Sequence, residues 1–148
     1  MADSSAVVQA ALIAKYRGDA TLQALMVSAS APEWNIFDQG GAGELIASFP
    51  YVYVHPLTAQ LGEAFAMQTD SMDVLMQVNV FTRAQGFAQA RAMIGRLYQL
   101  THGPVAGALS LPGFTNVLTL FDNRQELEEV TDGLVQHIAD RYKVCTQG

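Results

Sequence analysis

The chain has 148 residues, of which 50% are apolar and 15% are charged, and its formal net charge is −6. A charged share below the ~25% typical of soluble domains leaves more apolar surface than a solitary monomer needs, which favours an oligomer. The negative charge argues against a module that binds duplex DNA, because phosphate neutralisation supplies most of that affinity. The length fits one domain, which we assign to residues 1–148.

Cysteine usage and the N-terminus indicate where the protein is made. Cys145 is the single cysteine, so a disulfide within the chain and a cysteine metal cluster are both excluded. The N-terminal residues lack the basic region and the long apolar core of a signal peptide. No apolar run approaches the ~18 residues needed to cross a bilayer. We therefore expect a protein that is intracellular when it is made.

The first part of the chain predicts two helices and a short strand. Ser4–Arg17 carries apolar residues at helical spacing and is followed by Gly18, which is a stop signal. Asp19 is a suitable N-cap for a second helix over "ATLQALM". The segment "EWNIFDQ" predicts a short strand, and "GGAGELIAS" predicts a flexible loop.

The stretch Phe49–Thr58, "FPYVYVHPLT", predicts a strand with a proline near each end. Proline cannot donate to a sheet hydrogen bond and is tolerated at the first position of a strand, so Pro50 marks where pairing begins. Tyr51 and Tyr53 then share one face. Pro56 ends the regular pairing or marks an edge or a bulge. The alternative is that the two tyrosines line an aromatic ligand pocket.

The clearest strand is predicted over Met72–Phe81, and a long helix follows it. Strict alternation gives this strand one apolar face and one half-polar face, which we expect to be partly wet or covered by a neighbouring subunit. Thr82 and Gln85 have the spacing of a capping box, so the helix is predicted to start there. Its apolar stripe consists of Phe87, Ala90, Ile94, Leu97 and Thr101.

The remaining pattern completes the predicted fold. "NVLTLFD" predicts a strand, and Leu134–Val144 predicts the last strand after a "TDG" turn. Short turns between consecutive strands favour antiparallel pairing. We predict an α+β fold in two layers, with a mostly antiparallel sheet of about five strands, one long helix packed on it and an N-terminal helix pair.

Catalytic and cofactor motifs are not evident in the sequence. His55, His102 and His137 lie far apart, without the spacing of metal ligands. The "GGAG" at residues 40–43 is not followed by the Lys and Ser/Thr pair of a phosphate-binding loop. We therefore expect no enzyme activity, no cofactor and no metal.

Charge and apolar loop residues give the candidate contacts. The region Asp122–Asp132 is acidic and is interpreted as a loop, whereas the predicted long helix carries three arginines and no acid. The two surfaces are either solvated or complementary between subunits, and the same pairing could instead act within one subunit. The loop Thr58–Ser71 adds apolar residues without an obvious place in a core, which usually mark a contact. The candidate contacts with other subunits or with partner proteins are Phe65, Met67, Arg83, Arg91, Arg96, Glu126, Glu128 and Glu129.

The order of the segments carries a family resemblance. The segments "VVQAALIAKYRGDATLQALM", "WNIFDQ", "FPYVYV", "VNVFTR" and "TDGLVQHIADRYKV" resemble, in that order, the tail-completion (tail-terminator) family of long-tailed bacteriophages and related gene-transfer particles. The resemblance covers nearly the whole chain. The chain departs from the family pattern in two regions that look long, Leu57–Asp70 and Asp122–Asp132.

The resemblance implies a ring, usually six-fold, that caps the finished tail tube, stops its growth and presents a face to the head connector. Its implied partners are other copies of itself, the tail tube protein and the head–tail connector or adaptor proteins. DNA would pass through the lumen without specific binding, and no membrane is involved. The protein would belong to the tail or neck of a virion assembled in the host bacterial cytoplasm. The alternatives are another neck, head-completion or minor tail protein, or a small-molecule-binding α+β domain that uses Tyr51 and Tyr53.

Overall fold

The computed structural model describes residues 3–26, 35–38, 49–61, 71–83, 86–102, 109–130 and 134–148. The helices are α1 (Ser5–Arg17), α2 (Ala20–Leu25) and α3 (Ala88–Thr101). The strands are β1 (Ile36–Phe37), β2 (Tyr51–Leu61), β3 (Ser71–Thr82), β4 (Ser110–Leu111), β5 (Phe114–Val130) and β6 (Leu134–Gln147).

The strands form one six-stranded sheet in the order β1-β2-β3-β6-β5-β4. Every neighbouring pair is antiparallel except β1 and β2, which are parallel. The predicted α+β class and the mostly antiparallel sheet are therefore confirmed. The sheet has one strand more than the predicted five, because the two-residue strand β4 joins its edge. A proline–glycine turn with Gly113 at φ 81° connects β4 to β5.

One face of the sheet, which we call the core face, packs against α1 and α3. Strict alternation in β3 sends every second side chain into this core, as predicted from the sequence. The helices contribute apolar side chains from their predicted stripes to the same cluster. Its fully buried members include Val8, Leu12, Val74, Met76, Val78, Val80, Ile94 and Leu97.

The opposite face of the sheet, which we call the outer face, carries the alternate residues of four strands. Because α1 and α3 both join the core-face cluster, neither of these helices covers it. The predicted half-polar character of this face in β3 is confirmed and extends across the sheet. By register, the outer face holds Tyr51, Tyr53, His55, Asp73, Leu75, Gln77, Asn79, Phe81, Leu118, Leu120, Asn123, Gln125, Leu127, Glu129, His137, Ala139, Arg141 and Lys143.

The long helix begins later than the capping-box pattern predicts. Thr82 is the last residue of β3, lies opposite Gln136 and is fully buried. Its hydroxyl donates to the Gln136 side chain at 3.4 Å, so burial and strand pairing override the helix-start pattern. The residue at the N-cap of α3 is Phe87. The capping-box prediction is thus wrong, and Arg83 does not belong to the helix.

The acidic region is a strand rather than a loop. β5 continues through the acids to Val130 and pairs with β6 as far as Leu134. The strand forms because β6 supplies backbone partners along one edge. Its charged side chains tolerate solvent on both faces and along the edge that, beyond Thr115, pairs with no described strand. We call residues 122–130 of β5 and 134–141 of β6 the hairpin arm.

Two local predictions are confirmed near the N-terminal half of the sheet. The Asp19 carboxylate caps α2 by accepting a hydrogen bond from the Leu22 amide at 2.8 Å. The pairing of β2 with β3 shifts register between Pro56 and Thr58, as expected of a bulge at the second proline. β2 nevertheless resumes and runs to Leu61, so the predicted loop begins later than Thr58.

Candidate interface on the outer face and the hairpin arm

A row of aromatic rings in contact crosses the outer face from β2 to β6, with Tyr51, Phe81 and His137 stacked and Phe49 tilted against Tyr51. The ring centroids are 5.1 Å apart for Phe49 and Tyr51, 4.7 Å for Tyr51 and Phe81, and 4.1 Å for Phe81 and His137. On β5, Leu127 lies opposite His137 and extends the row with an exposed side chain. Because neighbouring rings pack around Tyr51, its position favours a structural contribution over a ligand pocket.

A chain of hydrogen bonds runs beside this row. Arg141 donates from Nε to Gln77 at 3.3 Å, and Gln77 donates to Asn79 Oδ1 at 2.7 Å. The Asn79 amide nitrogen donates to the Tyr53 carbonyl at 3.1 Å. These bonds fix Asn79 with its oxygen towards His137, whose Nε2 lies 2.9 Å away. A hydrogen bond between these two atoms requires the proton on His137 Nε2, because the Asn79 oxygen can only accept.

The other ring nitrogen of His137 faces Glu129 on the neighbouring strand of the hairpin arm. Nδ1 lies 3.2 Å from the Glu129 carboxylate, so a proton there would complete an ion pair. Burial lowers the pKa of His137, and the hydrogen bond that the protonated ring donates to the Glu129 carboxylate opposes that shift. The network thus joins Glu129, near the tip of the arm, to Asn79 on the outer face through the ring of His137.

Two arginines hold the core-face side of the arm within the same chain. Arg124 makes a two-point contact with the buried carboxylate of Asp140, at 2.6 and 2.9 Å. Arg91 on α3 makes a similar contact with Glu126, with both distances at 2.8 Å. The structure therefore brings two predicted contact residues together inside one subunit. A contact between subunits at Arg91 stays a prediction.

The other predicted basic residues also have partners. Arg96 donates two hydrogen bonds to the Asp19 carboxylate, at 2.7 and 2.9 Å, and so links α3 to the N-cap of α2. These bonds, together with the one from the Leu22 amide, lower the pKa of Asp19. The guanidinium of Arg83 lies 4.6 Å from the Phe49 ring centroid, at the end of the aromatic row. The predicted residues Arg83, Arg91 and Arg96 thus lie on three different surfaces rather than on one basic helix face.

The remaining predicted contacts differ in what the structure says of them. Phe65 and Met67 lie outside the described residues. Glu128 is exposed, and no described cation lies within 4.0 Å of its carboxylate.

Three exposed leucines were missed by sequence reasoning. The side chains of Leu120, Leu127 and Leu134 are 39%, 44% and 48% exposed. Alternation alone would place Leu120 and Leu127 on opposite faces, and only the register shift between Phe121 and Asn123 brings both to the outer face. Exposed apolar side chains beside charges are features of a protein-binding surface.

Within the described ranges, no three His, Cys, Asp or Glu side chains group as ligands for a metal ion. No helix in those ranges has both the length and the apolar character needed to span a bilayer.

Comparison with known proteins gives a match in fold. The chain matches no protein-family model and no curated protein. Among solved structures, it matches a chain in the virion of a native gene transfer agent particle, with a TM-score of 0.68 and 20% sequence identity. The match covers 95% of both chains. At this identity the likeness establishes a shared fold over nearly the full length.

Proposed function

We propose that this protein is a structural component of a phage-like particle, where it forms a hexameric ring that caps the tail tube, ends its polymerisation and joins the tail to the head connector. The observation that carries the proposal is the fold shared with a virion chain over 95% of both chains. The resembling segments support it, because "FPYVYV" opens β2 and "VNVFTR" ends β3.

The surfaces of the chain suit a ring. Cyclic assembly with a single kind of subunit needs two unlike surfaces that meet head to tail and close by rotation. The outer face and the core-face side of the hairpin tip are two such surfaces, since the first is aromatic and half-polar and the second is exposed and carries acids. The predicted partners are further copies of the chain, the tail tube protein and the connector.

The charge of the chain suits a ring through which DNA slides. A net charge of −6 does not retain phosphates, so DNA would pass the lumen without specific binding. We further propose that the protein is not an enzyme and needs no cofactor, and that it resides in the tail or neck of the virion.

The test is a mass and assembly measurement on the purified protein. Native mass spectrometry and electron microscopy, with and without assembled tail tubes, should show a closed ring that is seated at one tube end. Tube extension should stop when the ring is added, and a size-matched unrelated acidic protein should leave extension unchanged. A protein that stays monomeric on finished tubes would contradict the proposal.

A further inference from the structure

Among the described residues, no carboxylate pairs with Arg141 on the outer face, in contrast to four other cations. Arg91, Arg96, Arg124 and Lys143 each contact a carboxylate within 4.0 Å. For Arg141, the described residues supply only the neutral Gln77 side chain, which uses Nε and leaves the terminal nitrogens for another acceptor. A partly exposed guanidinium with two unused nitrogens is a ready site for a carboxylate.

An exposed leucine lies beside this arginine. Leu120 is opposite Lys143, two residues along β6 from Arg141, so Leu120 and Arg141 are diagonal neighbours on the outer face. Such neighbours lie about 7–8 Å apart, near enough to act as one contact surface. The 39% exposure of Leu120 leaves it available to a second apolar side chain.

The tip of the hairpin arm presents the complementary pair. Glu128 lies opposite Gln136, and Leu134 lies two residues before Gln136 on β6. Glu128 and Leu134 are therefore also diagonal neighbours, on the side of the arm that continues the core face. α3 does not cover this end, because the Leu134 side chain is 48% exposed and Glu128 is exposed as well.

These two pairs cannot meet within one chain. Arg141 lies opposite Asn123, whereas Glu128 lies opposite Gln136, so five positions of β6 separate them along the hairpin. They also lie on opposite faces of the sheet. Contact between Glu128 and Leu134 on one side and Arg141 and Leu120 on the other therefore requires a second copy of the chain.

We propose that the tip of the hairpin arm of one copy docks, by the side that continues the core face, on the outer face of the next copy where that copy's arm begins, with Glu128 bonded to Arg141 and Leu134 packed on Leu120. The proposal rests on the proposed ring and names the surfaces that would build it. The spacing of charge and leucine is the same diagonal on both surfaces, and the signs are opposite. The contact is heterologous, as ring closure requires.

A mixed disulfide tests the contact directly. In a Cys145→Ser background, one sample carries Glu128→Cys and a second, mass-tagged sample carries Arg141→Cys; the two are mixed and gently oxidised. We expect the tagged and untagged chains to become linked. The matched control replaces Arg141→Cys by Lys15→Cys, which lies on α1 away from both pairs.

Charge reversal tests the same contact by assembly. Arg141→Glu should raise the protein concentration needed for half-assembly by about tenfold, and the added Glu128→Arg should restore it. Lys15→Glu makes the same change in net charge and should leave assembly unchanged. The thermal midpoint of the unassembled variants separates lost assembly from lost folding.

The outcomes distinguish this inference from the proposed function. Intact rings without a specific link between positions 128 and 141, or with undisturbed assembly of Arg141→Glu, overturn the docking contact and leave the ring standing. A wild-type protein that forms no ring even on tail tubes overturns both.

Discussion

Arg124 on β5 reaches across to Asp140 on β6 and binds its carboxylate with two nitrogens, at 2.6 and 2.9 Å. The Asp140 side chain is fully buried, and the Tyr142 hydroxyl donates to the same carboxylate at 3.1 Å. A buried carboxylate is tolerated only where a counter-charge and hydrogen bonds compensate its lost hydration. This pair therefore joins the two strands of the hairpin arm where the arm meets the core.

Replacing Arg124 with Ala should destabilise the protein strongly. The change leaves the Asp140 carboxylate buried without its cation, which we expect to lower the free energy of unfolding by about 2–4 kcal/mol. Urea unfolding followed by circular dichroism measures this value. Asp140→Asn keeps the shape and removes the charge, so it should cost only about 1 kcal/mol. An equal or larger cost for Asp140→Asn would contradict this account of the pair.

Cys145 should react slowly with alkylating reagents in the folded protein. Burial, assisted by Asp73, raises the pKa of its thiol to about 11. At pH 8 the thiolate fraction of Cys145 is then roughly 100-fold smaller than that of an exposed cysteine. Alkylation should be slow because the thiolate is the nucleophile. The rate of iodoacetamide labelling, with and without urea, measures the protection. Equal rates in the folded and unfolded protein would refute it.

Several elements could be predicted from the sequence because local pattern decides them. The alternation of Met72–Phe81, the Asp19 cap and the bulge at Pro56 all depend on residues that are close in sequence, and the structure confirms them. The candidate contacts depended on long-range register instead. Nothing near Arg91 in sequence reveals that Glu126 will lie beside it.

The hairpin arm shows why the rest could not be predicted. A strand with acids on both faces lacks the apolar alternation by which strands are recognised, and its pairing with β6 is a tertiary effect. Thr82 illustrates the same limit. Its capping-box pattern predicts the start of a helix, but the residue is buried at the end of β3.

Arg91 should act first within its own subunit. It contacts Glu126 in two places, and its guanidinium lies 5.3 Å from the Phe87 ring centroid. Arg91→Glu should slightly lower the thermal midpoint of the unassembled protein, and the added Glu126→Arg should restore it. High salt should shrink the difference, because exposed ion pairs are screened. The opposite outcome would be that Arg91→Glu weakens ring assembly, and that the added Glu128→Arg restores assembly whereas the added Glu126→Arg does not. Arg91 would then contact a neighbouring subunit instead.

The stability of the protein should fall as the pH drops from 7 towards 5. Burial lowers the pKa of both His137 and His55 from the ordinary value of 6.5. Between the lowered value and 6.5, the unfolded chain binds protons that the folded chain does not, so protons favour unfolding. The stabilising contribution is therefore present above pH 6.5 and is lost as the pH falls through the folded pKa. The lowered pKa of Asp19 adds its effect only near or below its ordinary value of 3.8, outside this window.

Urea unfolding at several pH values measures how steeply the free energy of unfolding falls with decreasing pH. His137→Gln should make this fall less steep. A titration followed by NMR gives the pKa of His137 itself, which should lie below 6.5 in the folded protein. Glu129→Gln should lower it further, because the carboxylate favours the protonated ring. His55→Gln serves as the matched control, since it removes the other histidine with a lowered pKa and should leave the His137 titration in place. A His137 pKa at or above 6.5 would mean that the Glu129 contact outweighs burial, and the predicted slope would then reverse for this residue.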